Sequence, residues 1–171
     1  MADNENIKNL YGKDAIDKIR ELVKKESICM FTTRLAEAPL STRPMSTQEP
    51  DEDGNLWFFS SKSSHKNQHI EADPKIQLFY SNPGNYEFLS VYGTASINLD
   101  IDKIKDMWTP FLKAWFQEGT DDPEISLIKV IPEDAYYWDT KNNKMVSMIK
   151  ILTSVVVGKT MDDGVEGKLE V

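Results

Sequence analysis

The chain has 171 residues, 40% hydrophobic, 28% charged and 10% aromatic, with 20 Lys+Arg against 28 Asp+Glu for a net charge of −8. That length suits one domain that buries its own core without a disulfide or metal staple. With only 8 Gly and 8 Pro, collagen-like and low-complexity classes are excluded, and the apolar fraction argues against global disorder.

The acidic balance disfavours a non-specific nucleic-acid binder or a partner of anionic membranes, but leaves room for a small anion on a local basic patch. The single cysteine, Cys29, has no intramolecular partner and fits a reducing compartment. Met1-Ala-Asp-Asn-Glu-Asn6 lacks the basic and apolar regions of a signal peptide. No apolar run approaches the ~20 residues of a membrane span. The expectation is a cytoplasmic protein without membrane association.

Asp14 is placed to cap a helix running to Glu26, with Ala15, Ile16, Ile19, Leu22 and Val23 on its apolar face. Ile28–Leu35 and Leu40–Thr47 read as strands joined by a hairpin connection. The acids of Gln48–Asn55 read as a solvated turn rather than a calcium loop, for they lack the EF-hand ligand spacing. Leu56–Ser60 is a third strand, aromatic at Trp57, Phe58 and Phe59. Ser63 or Ser64 caps a short helix that Asp73-Pro74 ends near Ala72.

Ile76–Tyr80 and Phe88–Ile97 continue as strands. Asp100 opens a helical stretch holding Trp108, broken at Pro110 and resuming through Trp115 and Phe116. Ile125–Ile131 and Asp134–Asp139 are read as two strands flanking Pro132. Met145–Val156 favours a helix capped at Gly158, although its Val-Val-Val run prefers a strand. Thr160–Val171, polar and aperiodic, reads as a frayed tail. Strands outnumber helices and several are linked by hairpins, the pattern of a mainly β, antiparallel sheet or barrel with peripheral helices.

The strongest local signal is a gap in the acids. Gly54–Ile70 holds no Asp or Glu but carries Lys62, His65 and Lys66, and the acid-free stretch Ala38–Gln48 carries Arg43. In a chain of net −8, both islands are places where an anion meets no repelling carboxylate. Ser63, Ser64, His65 and Lys66 also stand at a helix start, whose free N–H groups favour phosphate. Trp57, Phe58 and Phe59 would add flat apolar walls for a ring-bearing phosphate ligand. On spacing alone, an aromatic core and an ordinary exposed helix start explain the same residues at least as well. His65 and His69, four apart, lack the intervening Glu of a zinc-protease pair and a third ligand. Cys29 reads as a buried structural thiol. No nucleophile elbow, P-loop or dinucleotide fingerprint occurs.

The ordered set Arg43-Pro44-Met45, an acidic Asp-Gly turn, Leu56-Trp-Phe-Phe-Ser60, Ser64-His-Lys66, Val91-Tyr-Gly93, Trp108-Thr-Pro110, Lys113-Ala-Trp-Phe116 and Tyr137-Trp-Asp139 resembles a known family. It is similar to the pyridoxamine 5′-phosphate oxidase-like FMN-binding split-barrel proteins, in the general stress protein subgroup. The likeness runs over residues 14–158, leaving 1–13 as an extension and 159–171 as a polar tail.

The resemblance implies a six-stranded antiparallel split barrel and a homodimer holding FMN in clefts at its interface. It would place Arg43 and Lys66 on the FMN phosphate, with Ser64 and His65 assisting. Pro44 and Met45 would lie beside the isoalloxazine, and Phe58, Phe59 and Ser60 would form the strand behind the ring and ribityl chain. Trp115 and Trp138 would close the cleft, from the same or the partner subunit. It further implies a flavin-dependent oxidoreductase of unknown substrate and unknown catalytic residues, with a nicotinamide as one candidate reductant.

Departures argue against true pyridoxamine phosphate oxidase activity. Gln48 stands where that enzyme has lysine, His65 where it has arginine, and its C-terminal substrate-gripping arginine segment has no counterpart. The competing readings are a non-catalytic flavin-sequestering module, a cofactor-free dimeric barrel, and the same scaffold around haem or a deazaflavin.

Overall fold

The computed structural model describes residues 7–140 and 164–171. In chain order these form β1 (Leu10–Tyr11), α1 (Gly12–Lys25), β2 (Ile28–Thr33), β3 (Ser41–Ser46), β4 (Leu56–Ser61), α2 (His65–Ala72), β5 (Lys75–Asn82), β6 (Glu87–Asn98), α3 (Ile101–Met107), β7 (Ile125–Thr140) and β8 (Gly164–Glu170). Short 3₁₀ turns occupy Pro110–Ala114 and Gly119–Asp121. No helix among the described residues is long and apolar enough to cross a membrane. The helix expected at Met145–Val156 lies outside the described residues.

The eight strands make one mixed sheet in the order β1-β8-β7-β6-β5-β2-β3, with β4 added on β7. Every pairing is antiparallel except β1 with β8. The end of β3 comes round to β4 through the isolated Thr47↔Phe58 bridge, where the Gln48 N–H donates to the Trp57 carbonyl at 2.8 Å. Strands β2–β7 therefore come close to closing on themselves, consistent with a split barrel. The parallel β1–β8 pair lies outside the six strands expected.

Burial follows strand periodicity. Phe31, Leu56, Phe58, Leu78, Val91 and Val130 point inward, where Ala15, Ile19, Leu22 and Val23 of α1 pack on them. A second cluster forms on the opposite face of β4 and β7, where α3 and the 3₁₀ turns bring Ile104, Leu112 and Phe116 onto Trp57 and Leu127. Alternate residues of one strand thus serve two separate apolar layers.

Several boundaries differ from expectation. Helix α1 starts at Gly12 behind Tyr11, which makes no side-chain cap, and Asp14 lies in the first turn, where it complements the helix dipole. Trp108 falls just past α3, and the stretch after Pro110 is 3₁₀ rather than α. The two strands expected around Pro132 are one sixteen-residue strand. Its second edge is divided: β4 pairs with Ile125–Val130 and β8 with Ala135–Thr140. Pro132 falls in the gap, where that edge requires no N–H. The C-terminal segment read as a frayed tail instead supplies β8. Val165, Gly167 and Leu169 alternate in it, and Leu169 is fully buried in the main core. The acidic turn is also less solvated than expected. Asp51 accepts hydrogen bonds from Trp57 Nε1 at 2.9 Å and Asn55 Nδ2 at 3.0 Å, and so fastens the turn to β4. Burial pushes its carboxyl up, but the bonds from Asn55 and Trp57 prevail and hold it below its ordinary value. Cys29, as expected, is a buried thiol.

Candidate functional site

Strand β3 pairs with β2 so that Arg43 stands opposite Phe31 and Met45 opposite Cys29. Both side chains are half-buried, while Thr42, Pro44 and Ser46 face outward. The Arg43 guanidinium donates to Thr33 Oγ1 at 3.0 Å and to the Ser41 hydroxyl. Lys66 arrives from another direction, on the first turn of α2. Ser64 caps that helix, its hydroxyl accepting from the Asn67 N–H.

A buried polar network holds α2 in place. Asn67, 1% exposed, accepts from Ser60 Oγ at 2.6 Å and Ser64 Oγ at 3.1 Å, and donates to Ser126 Oγ at 3.0 Å. Ser126 in turn donates to the Ser60 carbonyl at 2.8 Å. Outside it, the Glu124 carboxylate accepts from the hydroxyls of Ser61 at 2.8 Å and Ser63 at 2.6 Å, securing the loop that leads into the helix. Those bonds, Ser63's foremost, keep the Glu124 carboxyl below its ordinary value.

Arg43 and Lys66 consequently stand at the junction of two adjoining cavities. One, of about 580 Å³, is walled by Pro44, Met45, Phe59, Leu112, Trp115 and Phe116, among others. The other, of about 500 Å³, is lined by Arg34, Ser41, Thr42, Ser64, His65 and His69, together with the same Arg43 and Lys66. Among the described residues, no carboxylate lines the second cavity, and neither Arg43 nor Lys66 is in a salt bridge. Burial, and then the charge of Arg43, pulls the Lys66 ammonium below its ordinary value. Burial acts on Arg43 in the same direction. Two half-buried cations with no counter-ion among the described residues are an arrangement that an anion would stabilise.

Of the residues expected at a ligand site, Arg43, Pro44, Met45, Phe59, Ser60, Lys66 and Trp115 line the aromatic cavity, and Ser64 and His65 the basic one. Phe58 does not belong with them. It is fully buried, its ring edge-on to Phe31 with centroids 5.1 Å apart. Neighbouring strand residues point to opposite faces, so only Phe59 can reach the cavity, where it packs near Trp108 and Phe116. Ser60 borders the cavity, but its hydroxyl is committed to Asn67. Trp138 does not line it within this chain. Its ring packs 4.8 Å from Tyr136, and its strand partner is Phe88.

Sequence reasoning missed Arg34, Phe111 and Asn67. Arg34 enters through the β2–β3 hairpin, Phe111 through a 3₁₀ turn, and Asn67 as an ordinary polar residue of a short helix. Only His69 had left a trace, in its spacing from His65.

The family model described as pyridoxamine 5′-phosphate oxidase like matches residues 14–162. Protein bli-3 of Neurospora crassa is 27% identical over 154 residues, 84% of this chain and 74% of its own. Among solved structures, a general stress protein 26-like chain of Jannaschia sp. CCS1 superposes with a TM-score of 0.79 at 21% identity, covering 92% of this chain and 99% of that one. The general stress FMN/FAD binding protein of Xanthomonas citri superposes with a TM-score of 0.64 at 23% identity, covering 75% and 90%. At these identities the structural likeness speaks for the fold. The sequence match over most of the length does more: this chain belongs to the pyridoxamine 5′-phosphate oxidase-like family.

Proposed function

We propose that this chain binds FMN and works as a cytoplasmic flavin-dependent oxidoreductase, its split barrel paired with a second copy. One observation carries the reading: Arg43 and Lys66 join an aromatic cavity to a basic one. A flavin mononucleotide has that polarity, with a flat apolar ring at one end and a phosphate at the other. The residues fit the group in size as well as charge, since about 580 Å³ lies in the usual range for a cofactor-sized ligand.

The Arg43 guanidinium offers a planar fork to phosphate oxygens, and Lys66 a compact charge beside it. Ser64 and His65, at the start of α2, line the basic cavity beside Lys66, and the N-terminal end of that helix favours an anion further. Phe59, Leu112 and Phe116 give the ring end apolar walls, which Pro44 and Met45 extend. When bound, FMN would supply the hydride chemistry, which a nicotinamide could feed.

Pairing of two copies is supported by the outer face of the sheet. Met30 and Phe79, cross-strand partners, are 44% and 47% exposed, and Phe88 and Trp138, also partners, are 36% and 41% exposed. Pro44 stands opposite Met30 and links this apolar strip to the aromatic cavity. A strip of that kind is suited to cover by an identical surface. Trp138 would then reach a cleft only across such an interface.

The test is titration of FMN into purified protein, followed by flavin fluorescence and absorption. Wild type should bind and quench FMN, and Arg43→Ala combined with Lys66→Ala should weaken binding at least about a hundredfold, two charge-assisted contacts being lost. Undiminished affinity in the double variant would remove the proposed site.

A further inference from the structure

We propose that Phe111 and Trp115 form an aromatic clamp at the open end of the ring cavity, and that the compound it grips, the flavin's reaction partner, is a flat, uncharged ring molecule. This inference rests on the flavin reading above and adds to it the chemical class of the second ligand.

The two rings are held out where packing does not require them. Leu112 and Phe116, 8% and 6% exposed, fix the segment to the apolar layer of Trp57, Ile104 and Leu127. The Leu112 N–H donates to the Thr109 carbonyl, and the Trp115 and Phe116 N–H groups to the Leu112 carbonyl, each at 3.0 Å. Pro110 stiffens the start of the turn. Phe111 and Trp115 are left out of that layer, 75% and 63% exposed. Their ring centroids are 5.2 Å apart and their planes inclined at 65°, and both line the ring cavity. Two large exposed rings on a firmly anchored turn add nothing to the core, but together they present apolar surface to a ligand at the cavity mouth.

Charge decides what they would grip. Among the described residues, Arg43 and Lys66 are the only cations on the cavity wall and Glu49 the only carboxylate. In the flavin reading the phosphate takes both cations. Glu49 is paired with Lys24 at 2.7 Å, and Lys113, on the same turn as the clamp, is outside the lining. The wall that remains is aromatic, aliphatic or neutral, with Ser46, Gln48 and Thr109 as its polar members at this end. A charged partner would give up hydration there without gaining a free counter-ion, whereas a flat ring gains aromatic contact and loses little. The Gln48 amide and the Thr109 hydroxyl offer hydrogen bonds to carbonyl or hydroxyl groups on its edge.

The experiment titrates dimethylnaphthoquinone, a flat neutral ring whose thiol-reactive positions are blocked, into FMN-loaded protein by calorimetry, beside a ring-sulfonated analogue. Wild type should bind the neutral quinone at least about tenfold more tightly than the sulfonate, the charge finding no partner. Its affinity should change less than about twofold between low and high salt, and the protein should keep its FMN. Phe111→Ala combined with Trp115→Ala should weaken the quinone at least about tenfold more than it weakens FMN, two aromatic contacts being lost. Phe111→Tyr with Trp115→Phe should retain most of the quinone affinity. The wild-type comparisons need no variant, so a variant that fails to fold leaves the test intact. No quinone binding, equal affinity for the sulfonate, displacement of FMN by the quinone, or equal losses of quinone and FMN in the alanine variant would each overturn the clamp while leaving the flavin site standing. A wild-type dimer that falls to a monomer in light scattering of the alanine variant would also overturn it, by making the pair an interface contact. Failure of wild type to bind FMN would overturn both readings.

Discussion

Asn67→Ala tests whether the buried network behind α2 is what positions the phosphate end of the site. The change removes two acceptor contacts, from Ser60 and Ser64, and one donor contact, to Ser126. Ser60 keeps Ser64 Oγ within 3.1 Å, and Ser126 keeps the Ser60 carbonyl at 2.8 Å, so not every orphaned group goes unpaired. Three net hydrogen bonds of about 1 kcal/mol each, partly recovered, together with the void left by the amide, give a loss of about 2–4 kcal/mol. For a chain of this size that lowers the melting temperature by roughly 5–15 °C. The assay pairs thermal and urea denaturation with FMN titration of the folded variant. Lys66 and Ser64 ride on the helix that Asn67 anchors, so FMN affinity should also fall by about tenfold. A stability loss under about 1 kcal/mol, or a large one with unchanged FMN affinity, would refute the idea that this network sets the site.

Gly93→Ala should disrupt the β6–β7 register: a Cβ there would lie 2.3 Å from the Ile131 carbonyl oxygen. Unyielding backbone makes the cost at least about 1–3 kcal/mol, readable as a lower urea midpoint. Alkaline stability should fall with pH, because burial pushes the Cys29 thiol from 9.0 up to about 12. Between those values the unfolded chain holds fewer protons than the native one, so each step upward favours unfolding. The loss at pH 10 is on the order of 1 kcal/mol, and Cys29→Ala should remove that part of the slope in urea titrations at pH 8, 9 and 10. Phe79→Lys, on the exposed apolar strip, should shift the protein to a monomer in size-exclusion chromatography with light scattering, and a persistent dimer would exclude that face.

What was legible in the sequence is what depends on neighbours along the chain. Helical spacing marked the buried face of α1, Ser64 announced the α2 cap, and the acid-free islands picked out both segments that supply the site cations. Strand alternation was legible too, and applied strictly to Trp57-Phe58-Phe59 it would have assigned Phe58 to the core and Phe59 to the cavity. Other features belong to pairings between distant segments. Pro132 reads locally as a strand breaker, and only the division of the β7 edge between β4 and β8 makes it tolerable. Gly164–Glu170 is too polar to declare itself a strand until β7 offers it a free edge and Leu169 a place in the core. Arg43 and Lys66 are separated by a strand, a turn and a helix start, and they reach one cavity only after β3 comes round to β4 and α2 settles on β2, where His69 meets Thr33. Local backbone preferences and side-chain periods are written residue by residue, whereas the electric field of a cavity is a sum over segments that only the folded chain brings together.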